Sequence, residues 1–328
     1  MKRNYYIFSN GRLERKDNTI TFESEQGRKF IPVEDIDNIY LFGETDWNSK
    51  LINFLSQKQV TVHFFNYYGY YTGSFYPREF LNSGMLLVKQ VQHYENMAKR
   101  MKLAEEFVGS AAFNIHKNLA YYHNRGVDLQ DALDDIKADL AVVKHQRDIE
   151  SLMALEGKMR KTYYETWEEI INEHEFKKRV RRPPDNIVNA LISFGNSLVY
   201  TACLSEIYKT QLSPLISYLH EPGERRFSLS LDLAEIFKPI IADRIIFKTL
   251  NQKMLKEEHF DKKVNYCMLK ENGRKIFVKE FDERLQTTVK HRNLGRNVSY
   301  AYLIRLECYK LIKHLLNEKE YNAFRMWW

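Results

Sequence analysis

Near residue 80 the hydrophobic pattern of this chain changes period, and that change limits the possible fold more than any other feature. Before it, short strand-like runs at 4–8, 19–23, 29–33 and 36–42 are separated by Asn10-Gly11, Gln26-Gly27 and Gly43. Trp47, Leu51, Phe54 and Leu55 fall at helical spacing and predict a helix over 47–57, which feeds an apolar strand at 60–65 and a turn-rich stretch at 66–70. His63 lies inside that strand, where a satisfied core histidine is expected. After the change, apolar residues recur at Leu87, Val91, Tyr94, Ala98, Met101, Val108, Ala112, Ile115 and Leu119, in threes, fours or their sums. They predict one long helix of a bundle, since Gly109 and a polar residue at 105 interrupt any coiled-coil seam. Further helices are expected over 128–164, 186–208, 232–256 and 287–316, with a hairpin at Asn272-Gly273. The expectation is an α+β protein: a β-rich domain over 1–84, then a larger all-α domain over 85–328.

At 328 residues the chain is long enough for two ordinary domains. Fifty Lys and Arg against 43 Asp and Glu give a net charge of +7, which favours a polyanionic partner and equally suits an ordinary basic protein. Cys203, Cys267 and Cys308 are far apart and form no C-x-x-C, which argues against a disulfide framework and a structural zinc. A reducing cytoplasm is expected. The opening residues turn polar again at Ser9-Asn10-Gly11, so no signal peptide is expected. Nor is a membrane helix, which needs about 20 apolar residues.

The densest chemistry lies at 219–239, where His220, the Pro222-Gly223 turn, Arg225, Arg226, Asp232, Glu235 and Lys238 share one short stretch. Asp232 and Glu235, three apart, project from one face if a helix opens there. Glu156 offers a third acid upstream. Two carboxylates and an imidazole suit Mg2+ or Mn2+ beside a phosphate, and Arg225, Arg226 and Lys238 would neutralise phosphate oxygens. Spacing leaves alternatives open. Asp232-x-x-Glu235 reads as a helix start, and a cap is the favoured reading for Asp232. His220 suits a turn histidine, and Glu156 a solvated face beside Lys158, Arg160 and Lys161. Gly157, inside a helical pattern, costs up to about 1 kcal/mol relative to alanine, which points to close approach of another group. Tyr163 and Tyr164 read as packing residues rather than nucleophiles.

The runs Leu155-Glu156-Gly157-Lys158-Met159-Arg160, Asn189-Ala190-Leu191-Ile192-Ser193-Phe194-Gly195-Asn196 and 219–239 resemble the CRISPR-associated spacer integrase, the nuclease-like protein of the adaptation module. Lys29-Phe30-Ile31-Pro32, Ile39-Tyr40-Leu41-Phe42-Gly43 and Val62-His63-Phe64-Phe65 with Gly69 look like that family's N-terminal β domain, so the likeness spans nearly the whole chain. It implies that Glu156, His220 and Glu235 ligate Mg2+ or Mn2+, with Asp232 and Lys238 supporting them. It implies transesterification, a DNA 3′-hydroxyl attacking a phosphodiester of the CRISPR array without a nucleotide cofactor, and hydrolysis where water attacks instead. Some members carry aspartate where Glu235 stands. Gly-Arg pairs commonly follow the histidine where this chain has Gly223-Glu224-Arg225-Arg226, which leaves the two arginines' roles open. The 219–224 run and Trp327-Trp328 look most like type I, subtype B members.

The resemblance further implies double-stranded DNA as partner, a homodimer, and a small ferredoxin-like second adaptation protein clamped between two dimers. Tyr67, Tyr68, Tyr70 and Tyr71 suit the dimer surface or the core equally. Lys177, Lys178, Arg179, Arg181 and Arg182, ahead of Pro183-Pro184, form the strongest loop signal. They and Lys290, His291, Arg292 and Arg296 are candidates for salt-sensitive contacts with the DNA backbone, against the alternative of a solvated charge run. Two other readings stand beside the integrase: a non-catalytic DNA-binding scaffold, against which the intact acids speak, and a general metal-dependent repair nuclease.

Overall fold

In the computed structural model the described residues are all but 1, 78–80, 172, 173, 175, 177, 181, 182, 224–226, 264, 265 and 328. The chain divides into two compact units, Met1–Asn82 and Ser83–Trp328.

The first unit is built from β1 (Arg3–Ile7), β2 (Gly11–Lys16), β3 (Thr19–Ser24), β4 (Gly27–Pro32), β5 (Ile36–Leu41), β6 (Thr45–Trp47), α1 (Ser49–Lys58), β7 (Thr61–Phe65) and β8 (Tyr71–Phe75). One sheet runs β1-β5-β7-β8, the first three parallel and β8 antiparallel; the other runs β4-β3-β2-β6, with β6 parallel to β2. Leu13, Ile20, Ile36, Ile39, Leu51, Phe54 and Val62 fill the core between them. Three strands, β2, β6 and β8, escape the sequence reading. β2 carries a single apolar residue, Leu13, so it shows no alternation; Gly11 opens it because a Cβ there would lie 2.2 Å from the Glu23 carbonyl. β8 is a run of half-buried polar and aromatic residues. Trp47 ends β6 against Phe64 and Phe75 instead of opening the helix, which Asn48 caps by accepting from Leu51 N–H at 3.0 Å. His63 is fully buried, with Nδ1 2.7 Å from the Ser74 hydroxyl, as a core histidine should be.

The second unit contains α2 (Gly84–Glu95), α3 (Met97–His123), α4 (Gln130–Ala141), α5 (Ile149–Glu165), α6 (Trp167–Ile170), α7 (Ile187–Tyr208), α8 (Ser228–Phe237), a π turn (Pro239–Asp243), α9 (Arg244–Asn251), β9 (Phe260–Lys263), β10 (Tyr266–Leu269), α10 (Glu271–Gln286), β11 (Thr288–Lys290), β12 (Asn297–Ser299) and α11 (Tyr300–Leu315). The long helix expected from residue 86 is two, because the Asn96 side chain accepts from Lys99 N–H and starts α3 anew. The hairpin of the mixed stretch is β9–β10, and Asn272-Gly273 lies in the first turn of α10. The expected helix over 287–316 begins instead as the β11–β12 hairpin. By length and composition alone α7 could cross a bilayer, but 78% of that stretch is buried within the protein, as in a core helix. It is apolar on nearly every side because α8, α11 and the π turn surround it.

Candidate active site

Three elements of the second unit converge here. α5 supplies Glu156 and, one turn on, Arg160; the connection after α7 supplies His220; α8 supplies Asp232 and Glu235 and ends at Lys238. α8 starts at Ser228, so Asp232 stands in its interior and does not cap it, which corrects the reading of Asp232-x-x-Glu235 as a helix start. The fully buried Asp232 carboxylate caps the connection instead: it accepts from the backbone N–H of Tyr218 (2.7 Å), Leu219 (3.0 Å) and His220 (3.0 Å).

The same carboxylate meets His220 Nδ1 at 2.8 Å. Nδ1–H therefore donates to Asp232, and in the neutral ring Nε2 is left as the lone pair. Burial disfavours the imidazolium, but Asp232 outweighs it and the His220 pKa is raised. Glu221 anchors the connection from its other side. It accepts from Tyr94 (2.7 Å) and from buried Arg100 (2.6 Å), whose Nε also donates to the Tyr218 carbonyl.

Glu235 is only 7% exposed. Burial penalises its charge, but Lys238 and Arg160, both bonded to it, overcome the penalty and hold its pKa down to about 2. Arg160 Nε also lies 3.3 Å from Glu156 Oε1, so one guanidinium ties Glu156 to Glu235 across two helices. Among the described residues no group of three or more His, Cys, Asp or Glu side chains is set to hold a metal ion. Arg160 and Lys238 hold the carboxylates that would have to close around one.

Below the site, Pro239 has no N–H to continue α8, and the chain widens into the π turn, with Asp243 N–H reaching the Lys238 carbonyl at 3.1 Å. Neighbouring helices take up the freed carbonyls: Asn114 donates to Ile236 (3.0 Å), Asn118 to Pro239 (2.6 Å) and Arg284 twice to Ile240 (3.1 and 2.9 Å). The turn also buries Asp243 (1% exposed), whose pKa burial pushes up to about 7 against the pull of Arg160. The segment at 321–326 backs α8. Phe324 stacks on Phe237, and Met326 N–H donates to Asn114 Oδ1 at 2.8 Å.

Gly157 has no close neighbour within the chain itself. A Cβ there would meet nothing within 4 Å, so open space beside Glu156, and no packed neighbour, goes with the glycine. Tyr163 is buried, with its hydroxyl accepting from Asn118 at 3.1 Å, and Tyr164 packs edge-on against Trp167 and Phe176. Arg225, Arg226, Lys177, Arg181 and Arg182 lie outside the described residues. Lys178 is exposed, whereas Arg179 turns inward to Asn189 Oδ1 and the Ser193 hydroxyl, both at 2.9 Å. Lys290 is exposed on β11, and Arg292 lies over the Trp327 ring at 5.4 Å.

The sequence reading missed the bridging of Arg160, although its place four residues after Glu156 was visible, and it missed Asp243 altogether. Nothing local announces that the latter reaches the site, because the π turn places it there.

The profile of the family described as CRISPR associated protein Cas1 matches residues 5–283. A CRISPR-associated endonuclease Cas1 of Fusobacterium nucleatum is 54% identical over 330 residues, covering 100% of this chain and 98% of its own length. The solved structure of a Cas1 protein from Thermotoga maritima superposes with a TM-score of 0.87 at 43% identity, over 98% of this chain and 100% of that one. A chain of a Cas6-RT-Cas1–Cas2 complex shares the fold alone, with a TM-score of 0.84 at 18% identity, over 99% of this chain and 36% of that one.

Proposed function

Because the chain belongs to the CRISPR-associated Cas1 family, we propose that Glu156, His220 and Glu235 form the catalytic centre of a CRISPR-adaptation endonuclease and integrase, with Mg2+ or Mn2+ held among them. The observation that carries this reading is the convergence of α5 and α8 on one cation, the Arg160 guanidinium, beside an imidazole whose tautomer a buried carboxylate sets. The donor set fits a divalent ion. Glu235 is ionised at neutral pH, Glu156 is half-buried beside open space, and the neutral His220 ring carries its lone pair on Nε2.

A bound ion would supply charge neutralisation at the phosphoryl oxygens and lower the pKa of the attacking hydroxyl. The chain's own residues do the rest. Asp232 fixes the ring of His220 and the backbone that carries it, and Glu221 holds the same connection to α2 and α3. Lys238, at the end of α8, adds positive charge where charge develops on the phosphate. The DNA 3′-oxygen forms a new P–O bond as the P–O bond to the array strand's 3′-oxygen breaks, and the proton lost by the attacking hydroxyl is matched by one taken up by the leaving 3′-oxygen. One phosphodiester replaces another, so positioning and charge stabilisation suffice without an energy-rich cofactor.

The partners proposed are double-stranded DNA, a second copy of the chain and the small ferredoxin-like second adaptation protein, in the cytoplasm. A fold shared with a chain of a Cas2-containing complex supports the last partner. Incubating a short duplex with repeat-bearing plasmid, with and without Mn2+, tests the proposal. Metal-dependent strand joining is expected. Cutting without joining would instead indicate a repair nuclease, and binding alone a scaffold.

A further inference from the structure

We propose that Asp243 is a positioning residue that receives the Arg160 guanidinium when Glu156 and Glu235 turn to a bound cation. The inference rests on the metal reading above and deepens it.

Two unspent polar atoms of opposite character lie under the site. Arg160 donates through Nε and Nη2 to Glu156 and Glu235, while its Nη1 is buried and makes no hydrogen bond within the protein. Asp243 Oδ2 is likewise buried without a partner. Each feels the charge of the other. A buried polar atom left unpaired costs about 1–3 kcal/mol, and here a donor and an acceptor that do not yet meet each bear that cost. A guanidinium cannot shed its proton, so it cannot be neutralised when a divalent ion competes for the same carboxylates. It must find another anion or repel the ion. Lys238 and Arg160 keep similar side-chain exposure, 15% and 12%, but the Nη1 end of Arg160 is closed off from solvent. Asp243 is the acid the π turn places within its electrostatic reach, and the free Oδ2 is the acceptor that Nη1 lacks.

Calorimetric titration of Mn2+ into the full chain tests this without relying on catalysis. Asp243→Asn, nearly isosteric and uncharged, is expected to weaken Mn2+ binding about ten- to a hundredfold, as loss of an outer-shell partner does. Arg160→Met, with no guanidinium to relocate, is expected to bind Mn2+ no more weakly than wild type, and adding Asp243→Asn to it is expected to change nothing. Unchanged affinity in Asp243→Asn, or an equal loss in the Arg160→Met background, overturns the proposal. Should Asp243→Asn fail to fold, the Arg160 Nε–H resonance of the wild-type chain decides: it is expected to shift on addition of Mg2+, and an unmoved signal overturns the proposal. If Glu156→Ala abolishes Mn2+ uptake while Asp243→Asn does not, this inference falls and the metal reading stands. A wild-type chain that takes up no Mn2+ removes both.

Discussion

Asp232 Oδ1 lies 2.8 Å from His220 Nδ1 while the same carboxylate caps three backbone N–H groups of the connection that carries the histidine. Ring orientation and loop conformation therefore depend on one side chain. Asp232→Asn turns an amide N–H toward donors and is expected to cost about 1–3 kcal/mol of stability. Strand joining should also fall about ten- to a hundredfold. Denaturant unfolding and the joining assay together check both effects, and a variant of full stability and full activity would contradict the assignment.

Glu156 contributes a carboxylate and little packing, since it is half-buried beside open space. Glu156→Ala should abolish strand joining and leave duplex binding largely intact, as read by gel shift. Parallel loss of both would count against Glu156 as a metal ligand.

Burial holds the Asp243 carboxyl at about 7, above its ordinary 3.8, so the folded protein keeps a proton that the unfolded chain releases earlier. The stabilising contribution is complete below pH 3.8 and is lost as pH rises through about 7. Asp243→Asn removes that slope. Its melting temperature relative to wild type, measured without metal, should improve from pH 5 to pH 8, and a difference independent of pH would argue against the raised value.

Arg284 places two N–H groups on the Ile240 carbonyl and lies over the Tyr300 ring at 4.3 Å. Arg284→Met strands that carbonyl at an expected cost of about 1–3 kcal/mol. Because Ile240 belongs to the turn below Glu235 and Lys238, joining should fall while duplex binding holds. Equal losses would make Arg284 a DNA contact instead.

Lys178 and Lys290 remain exposed after the fold is made. If both touch the DNA backbone, changing either to alanine should weaken duplex binding and flatten its dependence on log salt by about one unit. Arg179, committed to Asn189 and Ser193, should lower stability more than it alters the salt slope. A salt slope unmoved by either lysine change would place the DNA elsewhere.

The α+β order was legible because it rests on periodicity, which a change near residue 80 displays openly. Elements whose signal is not apolar were missed: β2 has only Leu13 facing inward, and β8 is held by pairing with β7. The split between α2 and α3 depends on one side-chain oxygen of Asn96, invisible to a count of apolar steps. Within the site, the order of acids and imidazole along the chain singled out segments that the fold brings together, but not what each group touches. Asp232 looked like a cap for its own helix and caps another stretch; Arg160 looked like surface charge and bridges two acids. Those relations come from tertiary packing, which local sequence does not encode.

The backing of α8 by the 321–326 segment sets an order of events during synthesis. Glu235 and Lys238 leave the ribosome well before the stretch whose Phe324 stacks on Phe237 and whose Met326 secures Asn114. A nascent chain thus carries Glu235 and Lys238 before it owns the support that holds their helix, and the geometry of the proposed centre waits on translation of those late residues.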